Sequence, residues 1–201
     1  MLEWLQGQLP VPRVVSFREE RERVFLLVTG IPGTDAARSP LKPEEKTLLV
    51  AQGLKLFHSI PVDSCPFDQG VREKLRGASF RVKEGLVDEE EFYRWNPDTT
   101  PMELLDRLYD SKPLHEDLVV THGDYCLPNI LLNNSTISGF VDLSRCGAGD
   151  RMQDIGLCLR SLEYNFRTRE YNSLFLETYG LALSSEDEKK IQWFTQLDEL
   201  S

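Results

Sequence analysis

The sequence predicts an α+β fold, a mostly helical body that carries a few short strands. Three observations point there. In Pro43–His58, Leu48, Leu49, Ala51, Leu54, Leu56 and Phe57 recur at helical spacing. Two short apolar runs, residues 130–132 and 137–141, flank the turn formers Asn133, Asn134 and Ser135, which reads as a β-hairpin. Residues 11–16 and 24–28 read as two earlier strands, separated by a charged turn over residues 18–22.

The other elements follow in chain order. Thr29, Gly30, Ile31, Pro32 and Gly33 form a linker of turn residues. The helix Pro43–His58 is stopped before Pro61 and Pro66, and His58 at its end reads as a capping or core residue. Asp88, Glu89, Glu90 and Glu91 precede Phe92, and carboxylates suit the first turn of a helix, where the macrodipole is positive. Pro101 leads into a helix over residues 102–109 that carries Leu104, Leu105 and Leu108. Asp154 opens a helix over residues 155–162. Tyr171, Leu174, Phe175 and Tyr179 then share one helical face, Gly180 breaks the pattern, and Ile191, Phe194 and Leu197 share another face.

With 201 residues, 40% hydrophobic and 28% charged, the chain can build one substantial core of ordinary globular composition. A net charge of −10 argues against nucleic acid as the main partner, because phosphate backbones need clustered Lys and Arg. The same charge would draw a cationic ligand, although acidic proteins are common and charge alone does not choose. Cys65, Cys126, Cys146 and Cys158 show no metal-type spacing. With no signal-like start and no apolar run near ~20 residues, neither secretion nor a membrane partner is expected. Reduced thiols in a cytoplasmic setting are the simplest account, with Cys126 as a small buried hydrophobe.

The densest chemistry lies between residues 119 and 142, where His122, Gly123 and Asp124 follow an apolar run, Asn129 comes five positions on, and Gly139, Phe140, Val141 and Asp142 close the stretch. Phosphoryl transfer wants this order: a loop Asp to orient a hydroxyl and take its proton, then an Asn and a second Asp to hold magnesium. Asp124 is the candidate base, and Asn129 and Asp142 are the candidate metal ligands. An antiparallel return between the two ligands cancels the strand rise of about 3.3 Å per residue, so that Asp142 comes back beside Asn129.

These residues resemble the kinase-related small-molecule phosphotransferases, in which Gly stands where protein kinases carry the Arg of their catalytic loop. The closer resemblance is to the aminoglycoside 3'-phosphotransferases. It is carried by LPVP at residues 9–12, PGTDAA at 32–37, CPF at 65–67, GLVDEEEF at 85–92, LVVTHGDYCLPN at 118–129, DRMQDI at 150–155 and LDELS at 197–201, and so runs nearly from end to end.

The resemblance implies a protein-kinase-like fold, with residues 31–201 as the C-terminal catalytic and substrate-binding lobe. Residues 1–30 would be the last strands of an N-terminal nucleotide-binding lobe together with its hinge. It implies transfer of the γ-phosphoryl group of ATP, or GTP, to a hydroxyl of an aminoglycoside such as kanamycin or neomycin, with Mg2+ as cofactor. Thr29, Gly30 and Ile31 would meet the adenine edge. Glu91, Arg145, Arg160, Asp198, Glu199 and Ser201 would form the acceptor site, with Arg145 organising its carboxylates, while Ser201 stands where the family usually has an aromatic residue. Asp154 would support the backbone of the catalytic loop. The family's glycine-rich phosphate loop, strand Lys and helix Glu have no counterpart before residue 30, and the first lysine is Lys42. The chain is therefore expected to begin at the end of that lobe and to show weak or undetectable turnover alone. A kinase of another small alcohol (choline, homoserine or a macrolide) and a non-catalytic remnant are the alternatives. Residues 24–28 are expected to expose apolar strand edges that invite pairing with another chain.

Overall fold

The computed structural model describes residues 1–21 and 23–201. A short helix, α1 (Leu2–Leu5), leads to an antiparallel hairpin of β1 (Val14–Glu20) and β2 (Arg23–Val28), with Phe17 opposite Leu26. The first strand starts later than residue 11 and runs through Arg18, Glu19 and Glu20, which the sequence had assigned to a turn. The physical reason is the ladder: Arg18, Glu19 and Glu20 pair with Phe25, Val24 and Arg23, and those backbone bonds outweigh the turn preference of a charged run. The reversal comes at Arg21, whose φ is 55°. Glu22 of the expected turn lies outside the described residues. Both faces of the hairpin are exposed, as the run from Val24 at 63% to Leu27 at 58% shows.

The main body follows: α2 (Pro43–His58), α3 (Val71–Lys83), α4 (Glu89–Trp95) and α5 (Pro101–Asp110). Each start has a local cause. Pro43 occupies the first turn of α2, and Glu45 Oε2 accepts the Lys42 backbone N–H at 3.1 Å. Asp88 Oδ1 caps α4 by accepting from Glu91 N at 3.0 Å. Thr100 and Glu103 form a capping box on α5.

Four short strands then build the centre: β4 (Leu118–Thr121), β5 (Ile130–Asn133), β6 (Thr136–Phe140) and β7 (Gly147–Asp150). The β5–β6 hairpin turns at Asn134 and Ser135, both left-handed with φ of 48° and 59°, as a tight primed turn requires. A two-residue strand, β3 (Thr34–Asp35), extends this pair along β5. The chain is completed by α6 (Arg151–Phe166), α7 (Tyr171–Tyr179) and α8 (Ser185–Asp198). Helix α6 starts earlier than expected because Asp150 Oδ1 accepts from Met152 N at 2.9 Å and caps it, so Asp154 lies inside the helix and does not open it. Gly180, with φ of 87°, ends α7 where the break was expected.

Helix α2 packs against α7, and α6 packs against α8 and β4. Phe57 of α2 meets Phe140 of β6 edge-on at 5.4 Å, and the fully buried Tyr125 donates its hydroxyl to Val50 O at 2.8 Å. These contacts anchor the loop after β4 directly onto the core.

Candidate active site

The loop His122-Gly123-Asp124 leaves β4 in a conformation that only glycine accepts. Gly123 has a φ of +86°, and a Cβ there would stand 2.1 Å from Arg145 O. Two consecutive residues of α6 hold the loop. The fully buried Asp154 accepts the backbone N–H groups of His122 at 2.7 Å and Gly123 at 2.9 Å, and Gln153 Nε2 donates to Gly123 O at 2.8 Å. His58 also serves Asp154, from Nε2 at 3.1 Å, while its Nδ1 meets the Tyr179 hydroxyl at 2.8 Å. Burial pushes the Asp154 carboxyl up, but the hydrogen bond and charge of His58, with those of His122, hold it below the usual carboxylate range. Burial pulls the His122 imidazole below its ordinary value despite the field of Asp154, and its Nδ1 accepts from Asp124 N at 3.3 Å.

Asp124 points out of this clamp. Asn129 Nδ2 donates to Asp124 Oδ2 at 2.9 Å and to its carbonyl at 3.0 Å, so Oδ1 is the atom that Asn129 has for a cation. The β5–β6 return brings the other ligand back: Val141 N donates to Asn129 O at 3.0 Å, and Ile130 pairs with Phe140. Asp142 follows in a left-handed conformation, φ 56°, exposed, with Ser144 Oγ at 3.3 Å from its Oδ1. Among the described residues no group of three or more His, Cys, Asp or Glu could hold a metal. Two oxygen donors beside open solvent still fit magnesium, which prefers a few carboxylate-type ligands completed by water and phosphate oxygens.

All six residues expected to form an acceptor site line one cavity of about 660 Å³ together with Asp124. Its floor differs from a bare acidic patch. Arg160 pairs with Glu199 at 2.5 Å and also with Asp198, and Arg145 Nη1 holds Asp198 Oδ1 at 2.7 Å. Burial raises the Glu199 carboxyl to about 7, opposed by Arg160 and assisted by Asp198 and Glu91. The mouth adds Trp95, Tyr164 and Arg167, which the sequence reading had not singled out; the Arg167 guanidinium lies over the Tyr164 ring at 4.7 Å. Tyr164 could have been found as the i+4 neighbour of Arg160 on α6. Cys126 lines the same cavity, its thiol pushed up to about 12 by burial and by Asp124, and so is inert.

Thr29, Gly30 and Ile31, expected at the adenine edge, stand apart from this cavity. Thr29 is tied to Arg13 by two hydrogen bonds of 2.9 Å, and Ile31 packs so closely on β6 that a Cβ on Gly139 would come within 2.5 Å of Ile31 Cδ1. Gly30 faces open space. Ile31 thus rests on the strand that runs into Asp142.

A helical lobe with an Asp–Asn pair on a clamped loop, and a second Asp at the end of a returning hairpin, defines a kinase-like phosphotransferase fold. Residues 1–194 match the phosphotransferase enzyme family, and the chain belongs to it. It is similar to an aminoglycoside 3'-phosphotransferase of Niallia circulans, 40% identical over 98% of this chain and 75% of the relative. That of Enterococcus faecalis is 34% identical over all of this chain and 76% of the relative. Among solved structures, an aminoglycoside-3'-phosphotransferase of type VIII superposes with a TM-score of 0.90 at 31% identity, covering 100% of this chain and 77% of the other. A Streptomyces rimosus aminoglycoside phosphotransferase in complex with ADP and streptomycin gives 0.87 at 28% identity, covering 99% and 79%.

Proposed function

We propose that this chain carries the catalytic and acceptor-binding machinery of an aminoglycoside phosphotransferase that moves the γ-phosphoryl group of ATP to an antibiotic hydroxyl. The observation that carries the reading is the placement of Asp124 Oδ2, steered by Asn129 Nδ2, at the wall of the cavity that ends in Asp198 and Glu199. The two relatives, of which the chain spans 75% and 76%, are named aminoglycoside 3'-phosphotransferases, and one neighbour holds ADP and streptomycin.

In this reading an acceptor's ammonium groups meet Glu91, Asp198 and Glu199, and the cavity turns one hydroxyl toward Asp124. Asp124 orients that hydroxyl and accepts its proton as the oxygen attacks phosphorus. Asn129 Oδ1 and the Asp142 carboxylate would hold Mg2+, which when bound neutralises charge on the phosphate oxygens. Arg145 and Arg160 keep Asp198 and Glu199 in place, so that the acceptor meets a preorganised surface. Residues 1–30 form the nucleotide side, with Thr29 to Ile31 at the adenine edge, and the setting is cytoplasmic. No helix is long and apolar enough to cross a membrane among the described residues.

The test is to incubate the purified chain with Mg2+, ATP and kanamycin and to look by mass spectrometry for an antibiotic heavier by one phosphoryl group, beside calorimetric titration of kanamycin alone. Product that vanishes in Asp124→Ala supports the whole reading. A second reading, binding without turnover, is favoured by the β1–β2 hairpin, whose apolar residues Val24 to Leu27 are exposed. It predicts a kanamycin isotherm with no product. A folded chain that neither binds nor phosphorylates kanamycin, yet phosphorylates choline, homoserine or a macrolide, would replace the acceptor assignment.

A further inference from the structure

The charges that line the acceptor cavity sort by what each is already bound to. Arg145 and Arg160 hold Asp198 and Glu199, so these two carboxylates and two guanidinium groups come close to cancelling. Glu163 is spent elsewhere, Oε2 on Arg169 Nε at 3.0 Å and Oε1 on Asn172 Nδ2 at 2.8 Å. Glu91 makes no ion pair among the described residues, and its field adds to burial in raising the nearby Glu199 carboxyl. Leu127 N donates to Ser161 Oγ at 3.0 Å, which sets the Asp124 loop beside the Arg160 turn of α6. The uncompensated negative charge of the cavity is therefore gathered at this end, on Glu91 and Asp124.

The cavity wall then continues along α6. Arg160, Tyr164 and Arg167 follow at i, i+4 and i+7 and share one face, with Arg167 as the residue that ends the helix. At about 1.5 Å per residue, Arg167 stands about 10 Å beyond Arg160 along the axis. Over that distance the charge reverses. Arg167 has no carboxylate within ion-pairing reach among the described residues, since Glu163, one turn before it, is turned to Arg169 and Asn172. Its guanidinium lies instead over the Tyr164 ring at 4.7 Å, which keeps the charge at the cavity wall and occupies a π face that a ligand cation would otherwise use. Tyr164 itself is 55% exposed. An ammonium group arriving here meets a like charge and no free carboxylate. A sugar that carries only hydroxyls meets aromatic surface for its C–H groups and guanidinium donors for its oxygens.

Taking the cavity as the acceptor site of the proposed function, we propose that it is polarised along α6: ammonium groups belong at the Glu91 end, an uncharged sugar belongs against Tyr164, and Arg167 is the specificity-determining residue that turns away acceptors aminated there. The favoured substrate is an aminoglycoside whose outermost ring carries hydroxyls only. A purely structural Arg167, a cation at a helix C-terminus complementing the macrodipole, would make no distinction between acceptors.

Three acceptors that share one core separate these roles: neamine; ribostamycin, which adds a neutral ribose; and neomycin, which extends that ribose with a diamino sugar. Each is titrated calorimetrically into the 201-residue chain at pH 7.5 and matched ionic strength. Ribostamycin should bind at least as tightly as neamine, and neomycin should gain nothing over ribostamycin despite the net charge of −10. Asn accepts the left-handed backbone that Arg167 adopts at φ 59°, so Arg167→Asn is expected to fold. It should tighten neomycin severalfold, up to about tenfold, and leave ribostamycin within about twofold, as relief of one like-charge contact at about 6 Å requires. Arg167→Lys keeps the charge and should keep the wild-type order. Arg38→Asn removes the same net charge from an exposed position outside the cavity and should leave the ratio unchanged. Tyr164→Leu should weaken ribostamycin more than neamine. Neomycin several-fold tighter than ribostamycin in the wild type, or a ratio that Arg167→Asn does not move, overturns the inference and leaves the acceptor site standing. A folded chain that binds none of the three overturns the acceptor reading itself, and this inference with it.

Discussion

Replacing Asp154 with Asn removes one charge and almost no volume from the clamp beneath the His122-Gly123-Asp124 loop. The carboxylate uses both oxygens, Oδ2 for His122 N and His58 Nε2, and Oδ1 for Gly123 N. An amide keeps one oxygen. Whichever way it turns, its NH2 faces a buried backbone N–H, which loses its acceptor and meets a second donor. Leaving one such group unsatisfied costs about 1–3 kcal/mol, and the surviving bond loses its charge assistance, so the total is about 2–4 kcal/mol. For a chain of this size that lowers Tm by roughly 5–15 °C. Thermal and urea unfolding, followed by far-UV circular dichroism, measure it, and amide exchange at His122 and Gly123 localises it.

The sign with pH is also determined. The native carboxyl lies below its unfolded value, so its contribution is present above about pH 4 and disappears as pH falls through the native pKa. The difference between wild type and Asp154→Asn should therefore shrink in acid. A loss below about 0.5 kcal/mol at pH 7, or exchange at Gly123 unchanged, would refute the clamp.

Binding of a cationic acceptor should weaken severalfold, up to about tenfold, between pH 8 and pH 6, because Glu199 titrates at about 7 and loses its charge below it. Calorimetry should show proton release on binding at pH 6.5, and Glu199→Gln should remove both the release and this part of the pH dependence. The same group shifts stability in the opposite sense to Asp154: its folded pKa is raised, so the folded state gains protons between the ordinary value and about 7, and stability from it falls as pH rises through that window. Gly123→Ala should cost at least about 2 kcal/mol, from a left-handed backbone and a Cβ placed 2.1 Å from Arg145 O, and denaturant midpoints test it. In a preparation that turns over, Asp124→Asn should lower kcat by about 100-fold or more with kanamycin binding little changed, as removal of a general base requires.

Local rules made much of this chain legible. Pro43 and the apolar spacing mark α2, Pro101 marks α5, and the Asn-Ser turn between two apolar runs marks the β5–β6 hairpin, because each depends on residues a few positions apart. The hairpin in turn accounts for Asp142 returning beside Asn129. The β1 boundaries were less legible, since the charged residues 18–20 prefer turns and only pairing with Arg23, Val24 and Phe25 makes them strand.

The order Asp124, Asn129, Asp142, and hence the reaction class, is thus written in sequence, because spacing along the chain is what places those groups. Other features depend on residues brought together from far apart. Asp154 reaches back 31 positions to Gly123, and Arg160 meets Glu199 across 39. That pairing turns an expected acidic patch into carboxylates already held by arginines. No periodicity records such meetings, since hydrophobic pattern specifies which face is buried and not which polar atoms it is buried against.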